Sequence, residues 1–241
     1  MSYVKINFLG GIISPGDLLE ILNILDRLKI RQVRFGLRQQ LLIPLEADMV
    51  GDLVSILDQT EIRFEINEEL YPNIVSSYPA EEVFIQDTWL SEGVYRDILD
   101  GIDYLPTLKI NISDSNQSFT PLLTGNINWV ASATEAHFWH LFIRFPKTNV
   151  IYEWTSIVYT QDVASFSKNL EELILADRES FYDQVEANGE QLMSRMELKD
   201  FVIRSAILPA QLPAFNLPYY EGLNRYNNRY WLGIYRRKEL F

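Results

Sequence analysis

Residues 3–45, YVKINFLGGIISPGDLLEILNILDRLKIRQVRFGLRQQLLIPL, decide how the chain is read. Residues 3–8 alternate apolar and polar, as a half-buried strand does. Gly10-Gly11 breaks that pattern. Ser14 is placed to cap a helix, with Pro15 at its first position and Asp17 three residues after the cap. Leu18, Leu22, Leu25 and Leu28 then give the helix an apolar stripe with a period near 3.6. Residues 32–44 read as one strand, with Val33, Phe35, Leu37 and Leu41 on one face and Arg34, Gly36, Arg38 and Gln40 on the other. A helix over 47–59 and a strand over 62–66 complete a β-α-β-α-β unit of α+β class across residues 1–68.

Working outward, residues 69–91 are rich in turn formers, and 69–102 read as a connecting segment ending in a helix over 93–102. Strands are expected at 108–113, 127–131, 138–145 and 150–155, with a polar loop at 114–124. Helices are expected over 161–175 and much of 177–205, the second interrupted at Gly189. Residues 103–208 thus form a second, α/β unit. Residues 209–241 are a linker whose 230–235 stretch begins a new strand. An element that starts so near the last residue suggests the front part of a longer protein.

The 241 residues carry 21 basic and 33 acidic side chains, a formal charge of −12, with 47% apolar content and no cysteine. That much apolar material supports a real core. The acidic balance argues against a general nucleic-acid binder or a polybasic membrane anchor. Without cysteine there is no disulfide, thiolate zinc site or cysteine-ligated iron–sulfur cluster in this chain. No apolar run approaches the roughly 18 residues that would span a bilayer, and the first ten residues lack a signal-peptide pattern. A cytoplasmic protein is expected.

Three stretches in order resemble the nitrite/sulfite reductase family, which binds sirohaem and a four-iron cluster. They are residues 5–22 with 33–45, carrying Gly10-Gly11 and the Arg38-Gln39 pair; Asn73-Ile74-Val75-Ser76-Ser77; and DYLPTLKINISDSNQSFTPLLTGNINWVAS, residues 103–132. The resemblance implies an α+β fold, a ferredoxin-like half domain followed by a nitrite/sulfite reductase-type α/β domain. In that family two such repeats are related by pseudo-twofold symmetry. The first contributes side chains around sirohaem, and the second carries the cluster cysteines. Residues 230–241 lie where a second repeat would open. Bacterial proteins of similar look end in a rubredoxin-type iron domain, so an electron-transfer role with redox centres outside this chain is implied. The departures are also legible. Lys5 and Asn7 stand where the family has arginines, Pro72 precedes Asn73 in place of an arginine, and Thr107 and Lys109 stand where it has two lysines. A non-catalytic scaffold or dimerisation module that kept the fold and lost sirohaem is the alternative.

On the same resemblance, Lys5, Arg34, Arg38, Gln40, Lys109 and Asn116 are the candidate cofactor-binding residues. Arg34 and Arg38 otherwise read as a solvated strand face, and Asn116 as part of an Asx-rich turn. Lys5 and Lys109 must converge on one cleft for the functional reading to hold. His137 and His140 have metal-ligand spacing, but a strand reading of HFWHLFIRF sends them to opposite faces, and no metal is expected. The aromatic tail, Tyr219, Tyr220, Tyr226, Tyr230, Trp231 and Tyr235, suits a packing surface for a second copy, a missing half or an electron-transfer partner. Since an isolated front half needs its exposed faces covered, a homodimer or the second half of a longer chain is expected.

Overall fold

The computed structural model describes residues 2–83, 88–120, 123–144, 151–154, 156–176, 222–226 and 229–233. The first unit runs β1 (Ser2–Asn7), α1 (Pro15–Arg27), β2 (Arg34–Gly36), β3 (Gln40–Leu45), α2 (Val50–Leu57) and β4 (Phe64–Ile66). Its sheet has the order β2-β3-β1-β4 with every pair antiparallel, which is the ferredoxin-like βαββαβ arrangement. α1 starts as its sequence dictates, with the Ser14 hydroxyl accepting the Asp17 amide at 3.0 Å.

The sheet's alternation then sorts its residues. Val4, Ile6, Leu41, Ile43 and Leu45 pack under Ile21, Ile24, Leu25, Leu53 and Leu57 of the two helices. Tyr3, Lys5 and Asn7 point to the opposite, helix-free face. The register sets them beside Pro44, Leu42 and Gln40, with Arg34 opposite Leu42 and Gly36 opposite Gln40. That helix-free face is the floor of the site described below.

The second unit contributes β5 (Val75–Ser76), α3 (Tyr78–Val83), α4 (Glu92–Gly101), β6 (Ile110–Ser113), β7 (Ile127–Ala131), β8 (Phe138–Arg144), β9 (Ile151–Glu153), β10 (Val158–Tyr159) and α5 (Val163–Ala176). β5, β6 and β7 are parallel, and β8 is antiparallel to β7, β9 and β10. Trp129 and Trp139 are wholly buried in its core and hold their indole N–H groups on Ser167 Oγ and Thr160 Oγ1 at 2.9 and 3.0 Å. Phe166 of α5 meets the Trp129 ring edge-on at 5.6 Å. No helix among the described residues is long and apolar enough to cross a membrane.

Several expectations change. Residues 32–44 are not one strand but a hairpin that turns over Leu37-Arg38-Gln39, with Gln39 at φ 54°. Phe35 and Leu37 are consequently exposed, since β2 is the edge strand and the helices cover its inner neighbours. In α1 the buried stripe is Ile21, Ile24 and Leu25, while Leu22 faces outward. The stretch 69–102 is no mere connector, because β5 joins the second sheet and α4 packs into its core. β12 (Arg229–Gly233) does not open a repeat alone. It pairs with β11 (Gly222–Tyr226), inside the stretch expected to be a linker. His137 precedes β8 in a turn with φ 64°, so only His140 belongs to the strand. The helix expected over 177–205 lies outside the described residues.

Candidate functional site

The three stretches that carry the resemblance meet at the joint between the two units. At the hairpin turn, Arg38 donates Nε and Nη2 to the Asn73 carbonyl at 3.0 and 2.6 Å. Nη2 also reaches the Ile110 carbonyl at 3.0 Å, and Nη1 reaches Asn111 Oδ1 at 3.1 Å. Gln39 lays its amide against β5: Nε2 donates to the Ser76 carbonyl at 2.7 Å, and Oε1 accepts the Ser76 amide at 2.9 Å. Asn73 returns the contact, its Nδ2 donating to the carbonyls of Phe8, Arg38 and Gln39 at 2.7, 2.8 and 3.0 Å. Gly10 donates its amide to the Ile74 carbonyl at 2.9 Å. Gly11 must be glycine here: its φ is +78°, and a Cβ would come within 2.7 Å of the Gln39 amide group.

Beside this joint lies a cleft of about 580 Å³ between the helix-free sheet face and the start of β6. Its charged and amide lining is Lys5, Arg34, Arg38, Gln40, Lys109, Asn126 and Glu69, with Thr107 alongside. Five of the six residues singled out from the sequence therefore converge, in a chain whose formal charge is −12. They are not equally available. Arg38 is committed to the acceptors just named. Lys5 is 1% exposed, ion-paired with Glu65 directly across β1 and β4, and donates to the Tyr71 carbonyl at 3.3 Å. Arg34 and Lys109 are exposed and have no side-chain partner among the described residues. Gln40 is buried beneath Gly36, whose missing side chain leaves room for it. The arrangement can hold a small anion between a guanidinium fork and an ammonium.

Thr107 is fixed from behind. Its amide and hydroxyl both donate to Glu171 Oε1 of α5, at 2.7 and 2.9 Å, and Glu171 is itself buried. This contact was invisible in sequence, since 64 residues separate the partners. Glu65 was also missed, because only the β1–β4 register places it opposite Lys5.

Asn116 lies elsewhere. It opens on a separate polar cleft at the carboxyl ends of β6 and β7, with Trp89, Ser115 and Ser132. Asp114 braces that loop, its Oδ1 accepting the amides of Asn116 and Ser118 at 3.1 and 2.8 Å. Nearby, Tyr95 shares a 2.6 Å hydrogen bond with Ser77, and burial, reinforced by the Asp114 charge, pushes its phenol well above the ordinary range. Burial likewise pulls the His140 imidazole below its usual range. Among the described residues no group of three or more His, Cys, Asp or Glu could hold a metal ion.

Sirohaem carries many peripheral carboxylates, and among the described residues the cleft leaves two cations without a side-chain partner to meet them, with Glu69 on its wall. These residues do not fit a whole sirohaem. They fit one small oxyanion or a single carboxylate.

The chain matches no family model, and no curated protein matches it in sequence. In three dimensions it is similar to the solved structure of the Mycobacterium tuberculosis NirA protein, with a TM-score of 0.54 and 14% sequence identity. The likeness covers 79% of this chain and 39% of that one. At that identity it establishes the fold: α+β, a ferredoxin-like half domain followed by a nitrite/sulfite reductase-type α/β domain.

Proposed function

We propose that this chain is the front half of a nitrite/sulfite reductase-like protein whose joint cleft binds a small inorganic oxyanion or a single carboxylate on Arg34 and Lys109. Electron transfer then belongs to redox centres outside these residues, in a second half or a rubredoxin-type iron domain, because this chain has no cysteine to ligate a cluster or an iron. In this reading the protein works in the cytoplasm. The observation that carries the reading is the convergence of Lys5, Arg34, Arg38, Gln40 and Lys109 on one cleft of an acidic protein. Arg34 supplies a planar pair of donors and Lys109 a mobile point charge.

Calorimetric titration with sulfite, nitrite and inorganic phosphate at low ionic strength tests it. Two charge-assisted donors support a Kd on the order of 1 mM or tighter. Arg34→Gln and Lys109→Gln should each weaken binding roughly tenfold. Equal affinity in wild type and both variants, or no heat from any anion, contradicts the proposal.

A second reading is favoured by the spending of Arg38 and Lys5 on protein partners. In it the fold is retained as a non-catalytic scaffold, with a second copy of the chain covering the face an absent repeat would cover. A homodimer that binds none of the three anions is its expected signature.

A further inference from the structure

Lys5 borders the anion cleft, yet its ammonium is already engaged by protein partners. Its side chain lines the anion cleft. Its ammonium is held by Glu65 and the Tyr71 carbonyl, and both of those residues line a second cleft of about 620 Å³ that adjoins the first. Lys5 and Pro72 are walls common to both clefts. Glu65 is held in turn, its Oε1 accepting the Tyr71 amide at 3.0 Å.

A lysine that is 1% exposed must keep a counter-charge. Glu65 is the one carboxylate recorded against it among the described residues. Lysine is also the cation best suited to two positions, being a point charge on a flexible stem. Its ammonium has three donors, of which Glu65 and Tyr71 use two.

We propose that Glu65 is an internal competitor for the anion site: it holds the Lys5 ammonium among residues of the second cleft and so sets how many cations the first cleft offers a ligand. This rests on the reading of the cleft as an anion site. With Glu65 engaged, the ligand meets Arg34 and Lys109. With the Glu65 charge removed, Lys5 needs another counter-ion, and an anion bound in the adjoining cleft can serve in competition with Glu69 on its wall. Ligands able to compete with a carboxylate for an ammonium gain most, so the pair sorts strongly charged anions from weakly charged ones.

Inorganic phosphate is the probe, titrated calorimetrically into wild type, Glu65→Gln and the double variant Glu65→Gln/Lys5→Met. Glu65→Gln keeps an acceptor for the Tyr71 amide and removes the charge. It should bind phosphate about tenfold more tightly than wild type, the order expected for one added charge-assisted hydrogen bond. The gain should vanish in the double variant. Should Glu65→Gln fail to fold, Glu65→Asp, which retracts the carboxylate and keeps its charge, should tighten binding by a smaller factor. Unchanged affinity in Glu65→Gln, with wild-type binding still dependent on Arg34 and Lys109, overturns this inference and leaves the anion site standing. A gain that persists without Lys5 also overturns it. Phosphate binding by neither wild type nor Glu65→Gln removes the anion site itself.

Discussion

Arg38 and Arg34 look alike in sequence, four residues apart in one polar pattern, yet the fold gives them different work. Arg38 spends its guanidinium on the Asn73 and Ile110 carbonyls and the Asn111 amide oxygen. Arg34 keeps its charge for the cleft. The difference was not legible from the residues, because Arg38's acceptors lie 35 to 73 positions along the chain. Arg38→Ala should therefore behave as a stability variant, losing about 2–4 kcal/mol in denaturant unfolding as several acceptors lose their donor. Arg38→Lys should restore less than half of that, since a point charge cannot serve acceptors spaced for a planar fork. His140 gives a second residue-scale expectation. Its imidazole is buried and held below the ordinary range near 6.5. The unfolded chain then binds a proton at a higher pH than the folded one. This contribution to stability is intact above about pH 6.5 and falls as pH drops through that value, levelling off below the folded pKa. Unfolding free energies measured between pH 7.5 and 5 should show the fall, and His140→Gln should flatten that part of the profile.

Helices of this chain announce themselves locally. Ser14-Pro15-Gly16-Asp17 starts α1 as its capping chemistry requires; α2 falls within the residues that read as helical, and α4 and α5 overrun theirs by one residue each. The β2–β3 hairpin does not. Its turn, Leu37-Arg38-Gln39, contains no glycine, proline or asparagine to mark it. Tertiary contacts stabilise the turn: Gln39 sits at φ 54° with its side chain paired to Ser76, and Arg38 is anchored across the joint. Two glycines separate that docking from ordinary helix energetics. Gly11→Ala combines a positive φ with a Cβ 2.7 Å from Gln39, and should cost about 1–3 kcal/mol by prying the hairpin from β5. Gly51→Ala lies inside α2 with nothing within 4 Å of the new methyl, and should stabilise by about 0.5–1 kcal/mol. Thermal unfolding of the two variants should move in opposite directions. An unchanged Gly11→Ala would contradict the hairpin docking, and a loss in Gly51→Ala would contradict the open surroundings of that helix position.

At the scale of the whole molecule, Gly10-Gly11, Arg38-Gln39 and residues 73–77 are the parts that fasten the two units together. Their order along the chain was readable as a resemblance. Their purpose became readable only when the strands brought them face to face. The same fastening creates the cleft, because it sets the start of β6 against the open side of the ferredoxin-like sheet. It leaves Asn116 at the far end of β6, facing another cleft. The central claim is thus a division of labour: Arg34 and Lys109 bind, Arg38 braces, and Asn116 stands apart. Side-chain and backbone NMR of the full chain during a phosphate titration tests this most directly. The account predicts saturable shifts of the Arg34 guanidinium and Lys109 ammonium resonances, with Arg38 and the Asn116 amide unmoved. Shifts centred on Asn116, or phosphate responses scattered over surface lysines with Arg34 silent, would contradict it.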